Sequence, residues 1–337
     1  MSNNDIMLSF VCPTYNEQDG LDTFYNRLKA VADSLNETYE IIFVNDGSKD
    51  GTAGVLDRLA LQDRQVRVVE FSRNFGHQLA LTAGYDVARG RAVISLDSDC
   101  QHPPEMIPEL VARWREGYEV VYTVRTDTDG ISPLKRAMVR MGYRAIRMAS
   151  GVDLTDQADF RLLDRKAVEA IKSTREQARM LRGLVRWVGF KQISIPYKAQ
   201  RRFAGKSVYA LGQTLRMASA GIYNFSTKPL KLAGVLGGLF LAGAVAYVPL
   251  AVAAWLLWGG FSPWAHVTAA LVAMFGLQFV MMGILGEYVG RVFEEVKDRP
   301  LYVVRRKLGF DTPAEEEIDD NLPGRSRFET HTFAVYT

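Results

Sequence analysis

Ala92-Val93-Ile94-Ser95-Leu96-Asp97-Ser98-Asp99-Cys100-Gln101 is an apolar run that ends in carboxylates, and Pro103-Pro104 then opens a helical pattern reaching Arg115. A short apolar run bounded by turn residues reads as a strand, and proline is favoured in the first turn of a helix. The same unit recurs upstream. Residues 7–12, 40–44 and 67–71 read as strands, 120–124 as a fifth, and 21–35, 52–61, 78–88 and 104–115 as the helices between them. This alternation predicts an α/β domain on an open, Rossmann-like sheet, with ligands bound beyond the carboxyl ends of its strands.

Polar clusters stand at those ends: Pro13-Thr14-Tyr15-Asn16-Glu17 after the first strand, Asn45-Asp46-Gly47-Ser48 after the second, Asp97-Ser98-Asp99 after the fourth. No G-x-G-x-x-G or Walker loop occurs, so dinucleotide and P-loop chemistry are not indicated. Asp97 and Asp99 lie two apart, and on an extended segment both would point the same way. Paired carboxylates with the Gln101 amide suit Mg²⁺ or Mn²⁺, although aspartates of this spacing also serve turns and caps. Asp46-Gly47 reads as a turn and 48–52 as a cap region, leaving Asp46 to accept a hydrogen bond from a base or ribose.

The last third of the chain sets the broad class. From 232 to 286 there is no Asp, Glu, Lys or Arg, and Gly259-Gly260-Phe261-Ser262-Pro263 divides the stretch. At ~1.5 Å per residue, 232–258 and 264–285 make helices of about 40 and 33 Å, against a hydrocarbon core of about 30 Å. Trp255, Trp258 and Trp264 cluster at the turn, as an aromatic belt would. Lys228 and Lys231 before, and Arg291 to Lys307 after, place both long ends in the cytoplasm by the positive-inside bias. The N-terminus lacks the pattern of a signal peptide. Cys12 and Cys100 are expected as free thiols.

The chain has 337 residues with 41 Lys+Arg against 38 Asp+Glu, a charge of +3 that gives no support for a nucleic-acid partner. The expected organisation is a cytoplasmic catalytic domain (1–206), an amphipathic juxtamembrane helix (207–230), two transmembrane helices (231–290), a cytoplasmic basic segment (291–310) and a disordered acidic tail (311–337). Arg136, Arg140, Arg144 and Arg147 recur at helical spacing among Met138, Met141, Ile146 and Met148, a basic amphipathic helix or a solvated charged face.

The ordered clusters above, with Ala158-Asp159-Phe160-Arg161-Leu162, Arg202-Phe203-Ala204-Gly205-Lys206-Ser207 and Gly286-Glu287-Tyr288-Val289-Gly290-Arg291, resemble family 2 glycosyltransferases. Within that family the chain is most similar to polyprenyl-phosphate glycosyltransferases, the relatives of dolichol-phosphate mannose synthase and bacterial bactoprenol glucosyltransferases. The resemblance covers about 6–308. It implies an A-type glycosyltransferase fold and inverting transfer of one sugar from a nucleotide sugar, UDP-glucose first, to polyprenyl (undecaprenyl) phosphate.

Carried over by position, Pro13, Tyr15, Glu17, Val44 and Asp46 would hold the nucleoside, Asp97 and Ser98 line the nucleotide site, and Asp99 with Gln101 ligate the metal. Arg125 would approach the donor. Asp159 would be base or orienter of the acceptor, its alternative being an ion pair with Arg161 or another arginine. Arg136, Arg140, Arg202, Lys206 and Ser207 would bind the acceptor phosphate, and a homo-oligomer, with a tetramer as first size, is implied. Lys206 precedes Ser207 where the family's lysine follows its serine, and Asn45 replaces a frequent aspartate. The Gln-x-x-Arg-Trp motif of processive synthases is not met, because Gly183 stands four residues before Trp187. A processive polysaccharide synthase and a silent nucleotide-sugar-binding scaffold are the competing readings.

Overall fold

The computed structural model describes residues 6–125, 157–197, 228–258 and 263–310. Arg136, Arg140, Arg202, Lys206 and Ser207 lie outside them, as do most of the juxtamembrane segment and all of 311–337; Arg125 is described by its backbone alone.

The anticipated alternation is present: β1 (Leu8–Thr14), α1 (Leu21–Ser34), β2 (Tyr39–Asn45), α2 (Thr52–Gln62), β3 (Val66–Phe71), α3 (His77–Val87) and β4 (Ala92–Ser95). A 3₁₀ turn at Pro104–Met106 leads into α4 (Ile107–Arg115), followed by β5 (Val120–Arg125). Every residue of β1, β2 and β3 is buried, as expected of parallel strands covered on both faces. Three strands lay beyond the sequence reading: β6 (Gln157–Asp164), β7 (Gln192–Tyr197) and β8 (Val304–Leu308), with α5 (Arg165–Ser173) and α6 (Leu181–Trp187) between the first two.

All eight strands form one sheet, in the order β7-β5-β6-β4-β1-β2-β3-β8. β1 is parallel to β2 and β4, and β2 to β3, whereas β6 runs antiparallel to both β4 and β5, and β8 antiparallel to β3. The sheet is therefore an open, mixed one of the A-type glycosyltransferase kind. Apolar side chains pack on both of its faces, Phe10, Phe24 and Phe43 on one and Val44, Phe71 and Leu81 on the other. Gly84 lets α3 approach closely, since a Cβ there would sit 2.1 Å from Val11 Cγ1.

Two long helices follow, α7 (Lys228–Trp258) and α8 (Pro263–Val296). They pair as an antiparallel hairpin: Met281 fills the space beside Gly237, and Tyr247 Oη lies 2.7 Å from His266 Nδ1. Among the described residues one stretch, His266–Val296, is long and apolar enough to cross a membrane; in α7 the apolar stretch is the shorter Ala233–Tyr247. Leu239, Leu241, Leu250, Leu256, Val272 and Phe279 are among many apolar side chains facing outward.

The fold gives the basic segment at 291–310 regular structure. α8 continues eleven residues past Leu285, and 304–308 is an edge strand of the catalytic sheet. Arg306 pairs with Glu70 at 2.6 Å and Asp57 at 2.9 Å, so acidic residues of the domain itself partner it.

Candidate active site

A cavity of about 770 Å³ opens at the carboxyl ends of β1, β2, β3 and β4. Two of the strand-end clusters are stitched together at its rim. Asn16, at φ 54°, donates its N–H to Ser48 Oγ at 3.0 Å and accepts from the Lys49 N–H at 2.9 Å. Thr52 Oγ1 accepts from the Glu17 N–H at 3.0 Å. Gly47 must be glycine: its φ is +66°, and a Cβ would lie 2.4 Å from the carbonyl carbon of Arg73.

Pro13, Tyr15, Glu17, Asp46, Asp97, Ser98, Asp99 and Asp159 all line the cavity. Val44 does not: the penultimate residue of β2, it has no exposed surface and packs in the core. Asp46 has work within the protein, accepting from the Phe75 N–H at 2.7 Å and the Gly76 N–H at 2.9 Å. Burial raises its pKa, and those two hydrogen bonds oppose the rise. Asp46 thereby holds the loop after β3 against the end of β2.

The premise of a shared extended segment for the carboxylates is corrected. β4 ends at Ser95 and residues 98–99 form a turn, with Cys100 at φ 61°. Asp97 and Asp99 both reach the cavity but have different neighbours. Asp99 accepts the Gln101 backbone N–H at 3.0 Å, and the Gln101 side chain is not part of the wall, because the left-handed Cys100 turns the chain between them. Among the described residues no three Asp, Glu, His or Cys side chains converge as a metal cage. A carboxylate offers about four acceptor positions, and Mg²⁺ is commonly held by one or two carboxylates plus substrate phosphates. Asp99 on an open cavity wall fits that mode.

Asp97 faces two imidazoles. His77 Nε2 lies 2.6 Å from its Oδ1, and the Asp97 N–H donates to His102 Nδ1 at 3.1 Å. Burial alone would raise the Asp97 pKa, but the imidazoles of His77 and His102 outweigh it and lower it. For His77 desolvation pulls downward, and the Asp97 charge and hydrogen bond, with Asp159 at 3.9 Å, push the pKa up to about 9. A folded-state value above the unfolded ~6.5 means that this group stabilises the fold fully below about pH 6.5. The contribution disappears as pH rises through about 9. The melting-temperature difference between wild type and His77→Asn should therefore shrink between pH 6.5 and 9.5; a constant difference would contradict the shift.

Asp159 joins two arginines. Arg182 donates from Nη2 to Oδ2 at 2.8 Å and from Nε to Oδ1 at 3.2 Å, and Arg161 donates to Oδ1. Burial raises the Asp159 pKa, yet the two guanidinium charges hold its carboxyl far below the usual range. Such a carboxylate is a poor proton acceptor, an arrangement that suits an orienting role better than that of a base.

The sequence reading missed His77, His102 and Arg182. His77 was within reach of the strand-end rule, since Asn74-Phe75-Gly76-His77 follows β3, the one early strand whose end was passed over. Arg182 carried no local signal; β6 and α6 bring it to Asp159 across 23 positions. Cys12 and Cys100 are free and buried.

The model of glycosyl transferase family 2 matches residues 9–172. The uncharacterized glycosyltransferase YkcC of Bacillus subtilis is 41% identical over 308 residues, covering 91% of this chain and 95% of its own. The chain belongs to glycosyltransferase family 2. The glycosyltransferase is also 33% identical to the prophage bactoprenol glucosyl transferase homolog of Escherichia coli, covering 89% of this chain and 98% of that one. The bactoprenol glucosyl transferase derived from prophage SfII of Shigella flexneri is 34% identical, covering 89% and 97%. Among solved structures, the UDP complex of glucosyl-3-phosphoglycerate synthase from Mycobacterium tuberculosis aligns with TM-score 0.47 at 18% identity, over 65% of this chain and 79% of that chain.

Proposed function

We propose that this glycosyltransferase moves a single sugar, with inversion, from a nucleotide sugar to polyprenyl phosphate at the cytoplasmic face of the membrane, as a homo-oligomer. UDP-glucose is the first donor to test and undecaprenyl phosphate the first acceptor. The observation that carries the reading is the extent of the likeness to the bactoprenol glucosyl transferases: it spans 89% of the chain and so reaches well past the catalytic sheet into the helical hairpin.

Chain topology supports a two-span hairpin. Strands β1 to β7 and β8 (304–308) share one sheet, so the segment between β7 and β8 begins and ends on one side of any membrane. A crossing by α8 calls for a return crossing, and the antiparallel α7 is the candidate for it. Outward-facing leucine, valine and phenylalanine on both helices suit a hydrocarbon solvent better than water. Tyr247 and His266 satisfy one another inside that layer.

The cavity chemistry is compatible with the transfer. A divalent cation, held by Asp99 and the donor diphosphate, would neutralise charge developing on the leaving nucleoside diphosphate. Pro13, Tyr15, Glu17 and Asp46 are the proposed nucleoside contacts, and Asp97 and Ser98 the proposed neighbours of the diphosphate; all of them line the cavity. His77 and Arg182 bring positive charge to the cavity, each beside a carboxylate, Asp97 and Asp159 respectively. The nucleophile needs little help from a base, because a phosphate monoester with a second pKa of about 6 is mostly ionised at neutral pH. Arg125, Arg136, Arg140, Arg202, Lys206 and Ser207 are the proposed further contacts to donor and acceptor phosphates.

The test is transfer by purified protein in lipid with Mg²⁺ or Mn²⁺, undecaprenyl phosphate and a panel of labelled UDP- and GDP-sugars. An EDTA-sensitive lipid product carrying one sugar is expected. A polymeric product would favour the processive reading, and nucleotide binding with no product from any donor would favour a silent scaffold.

A further inference from the structure

One wall of the cavity is a loop, 174–180, that is held from outside the catalytic sheet. Gln177 donates its backbone N–H to Glu295 Oε2 at 3.0 Å and its side-chain amide to the Arg299 carbonyl at 2.6 Å. Glu295 is the penultimate residue of α8. Arg175, at the start of the loop, pairs with Asp86 at 2.9 Å, and Asp86 also accepts from Tyr302 Oη at 2.7 Å. The end of the long apolar helix and the chain just after it therefore clamp this loop at two points.

On its inner side the same loop presents Gln177, Arg179 and Met180 to the cavity and runs into α6, whose Arg182 grips Asp159. Its own interior is incompletely satisfied. Arg179 is 8% exposed, and its Nη2 reaches the Ile171 carbonyl, but among the described residues its Nε and Nη1 have no hydrogen-bond partner. Glu176 Oε1 is likewise buried without one. A buried polar group left open weakens the structure around it. The position of the loop then depends on its external clamp.

We propose that Glu295 and Gln177 are positioning residues through which the end of α8 sets the cavity wall carrying Arg182. Given the lipid-phosphate acceptor proposed above, on which this part rests, the seating of the helix in the bilayer is coupled to the placement of the acceptor phosphate. Misplacing a reacting group by a fraction of an ångström is costly in rate, whereas donor contacts on the β1 and β2 side are untouched.

The test compares wild type, Glu295→Ala, Glu295→Gln and Glu294→Ala in lipid nanodiscs. Glu294 is the neighbouring acid, paired with Lys297 and 58% exposed. Two readouts are taken: amide hydrogen exchange across 174–182, and kcat/KM for undecaprenyl phosphate alongside UDP affinity. Glu295→Ala should speed exchange across 174–182 by about tenfold and lower kcat/KM for the lipid by about tenfold, with UDP affinity within about twofold of wild type. Glu295→Gln, which keeps an oxygen for the Gln177 N–H, should stay near wild type, as should Glu294→Ala. Unchanged exchange in Glu295→Ala overturns the proposal. So does a parallel loss of UDP affinity and melting temperature, which would mark a merely structural contact. If wild type itself transfers nothing to the lipid, the acceptor reading fails on that result alone, and the exchange data still decide the clamp.

Discussion

Asp99→Ala should lower metal-dependent sugar transfer by roughly a thousandfold or more, with little change in melting temperature. Asp99 is half-buried on the cavity wall, and within the protein it accepts the Gln101 N–H of its own turn. Its removal therefore opens no core void. The large effect is expected because no three candidate ligands converge among the described residues, so the diphosphate's cation would lose its principal protein anchor. The check is the initial rate with saturating Mn²⁺, together with UDP affinity with and without metal. Loss of the metal-dependent part of UDP binding should accompany the loss of rate. A variant as fast as wild type would remove Asp99 from the chemistry.

Asp159→Ala should cost about 3–5 kcal/mol of stability, the usual result of removing one partner from a buried ion pair. Arg161 is only 1% exposed, and among the described residues its Nε and Nη1 already lack partners, so losing the carboxylate leaves a buried, uncompensated cation. Unfolding of the purified protein in detergent measures the loss; a change below about 1 kcal/mol would show that water relieves the site. The double variant Asp159→Ala/Arg161→Leu should recover part of it. Because the folded pKa of Asp159 is depressed, its contribution is present above the unfolded value of ~3.9 and fades as pH falls below it. His77 behaves in the opposite sense, losing its contribution as pH rises through about 9. Asp159→Asn separates the orienting role from the base role: transfer should fall while the pH–rate profile keeps its shape. A profile that lost its acidic limb would restore the base.

The local pattern carried a great deal of this protein. Strands β1 to β5 and helices α1 to α4 were legible because each is a short apolar or amphipathic run closed by its own turn chemistry. The clusters after β1, β2 and β4 were legible as site residues because a parallel sheet gathers such ends along one edge. The long helices were legible from the absence of charge between 232 and 286.

Long-range pairing was not legible. β6 reads as Gln-Ala-Asp-Phe-Arg-Leu-Leu-Asp, with Arg161 inside a strand, and the carboxylate of Asp159 with the Ala158 carbonyl makes that burial tolerable. β8 is Val-Arg-Arg-Lys-Leu, which reads as a solvated basic run until Glu70 and Asp57 neutralise it at the sheet edge. The direction of a side chain past a turn was equally hidden: around the left-handed Cys100, Asp99 lines the cavity and Gln101 does not. The amino-acid order thus determined which segments become strands and helices, which polar residues gather at the sheet's carboxyl edge, and which stretch forms long uncharged helices, since each depends on neighbours a few positions away. Tertiary structure alone decided that Asp159 faces two arginines, that Asp46 holds the β3–α3 loop, and that the end of the apolar helix grips the cavity wall. Those outcomes depend on charges and hydrogen-bonding groups separated by 2 to 118 positions, whose pairing is settled only when burial removes water as their alternative partner.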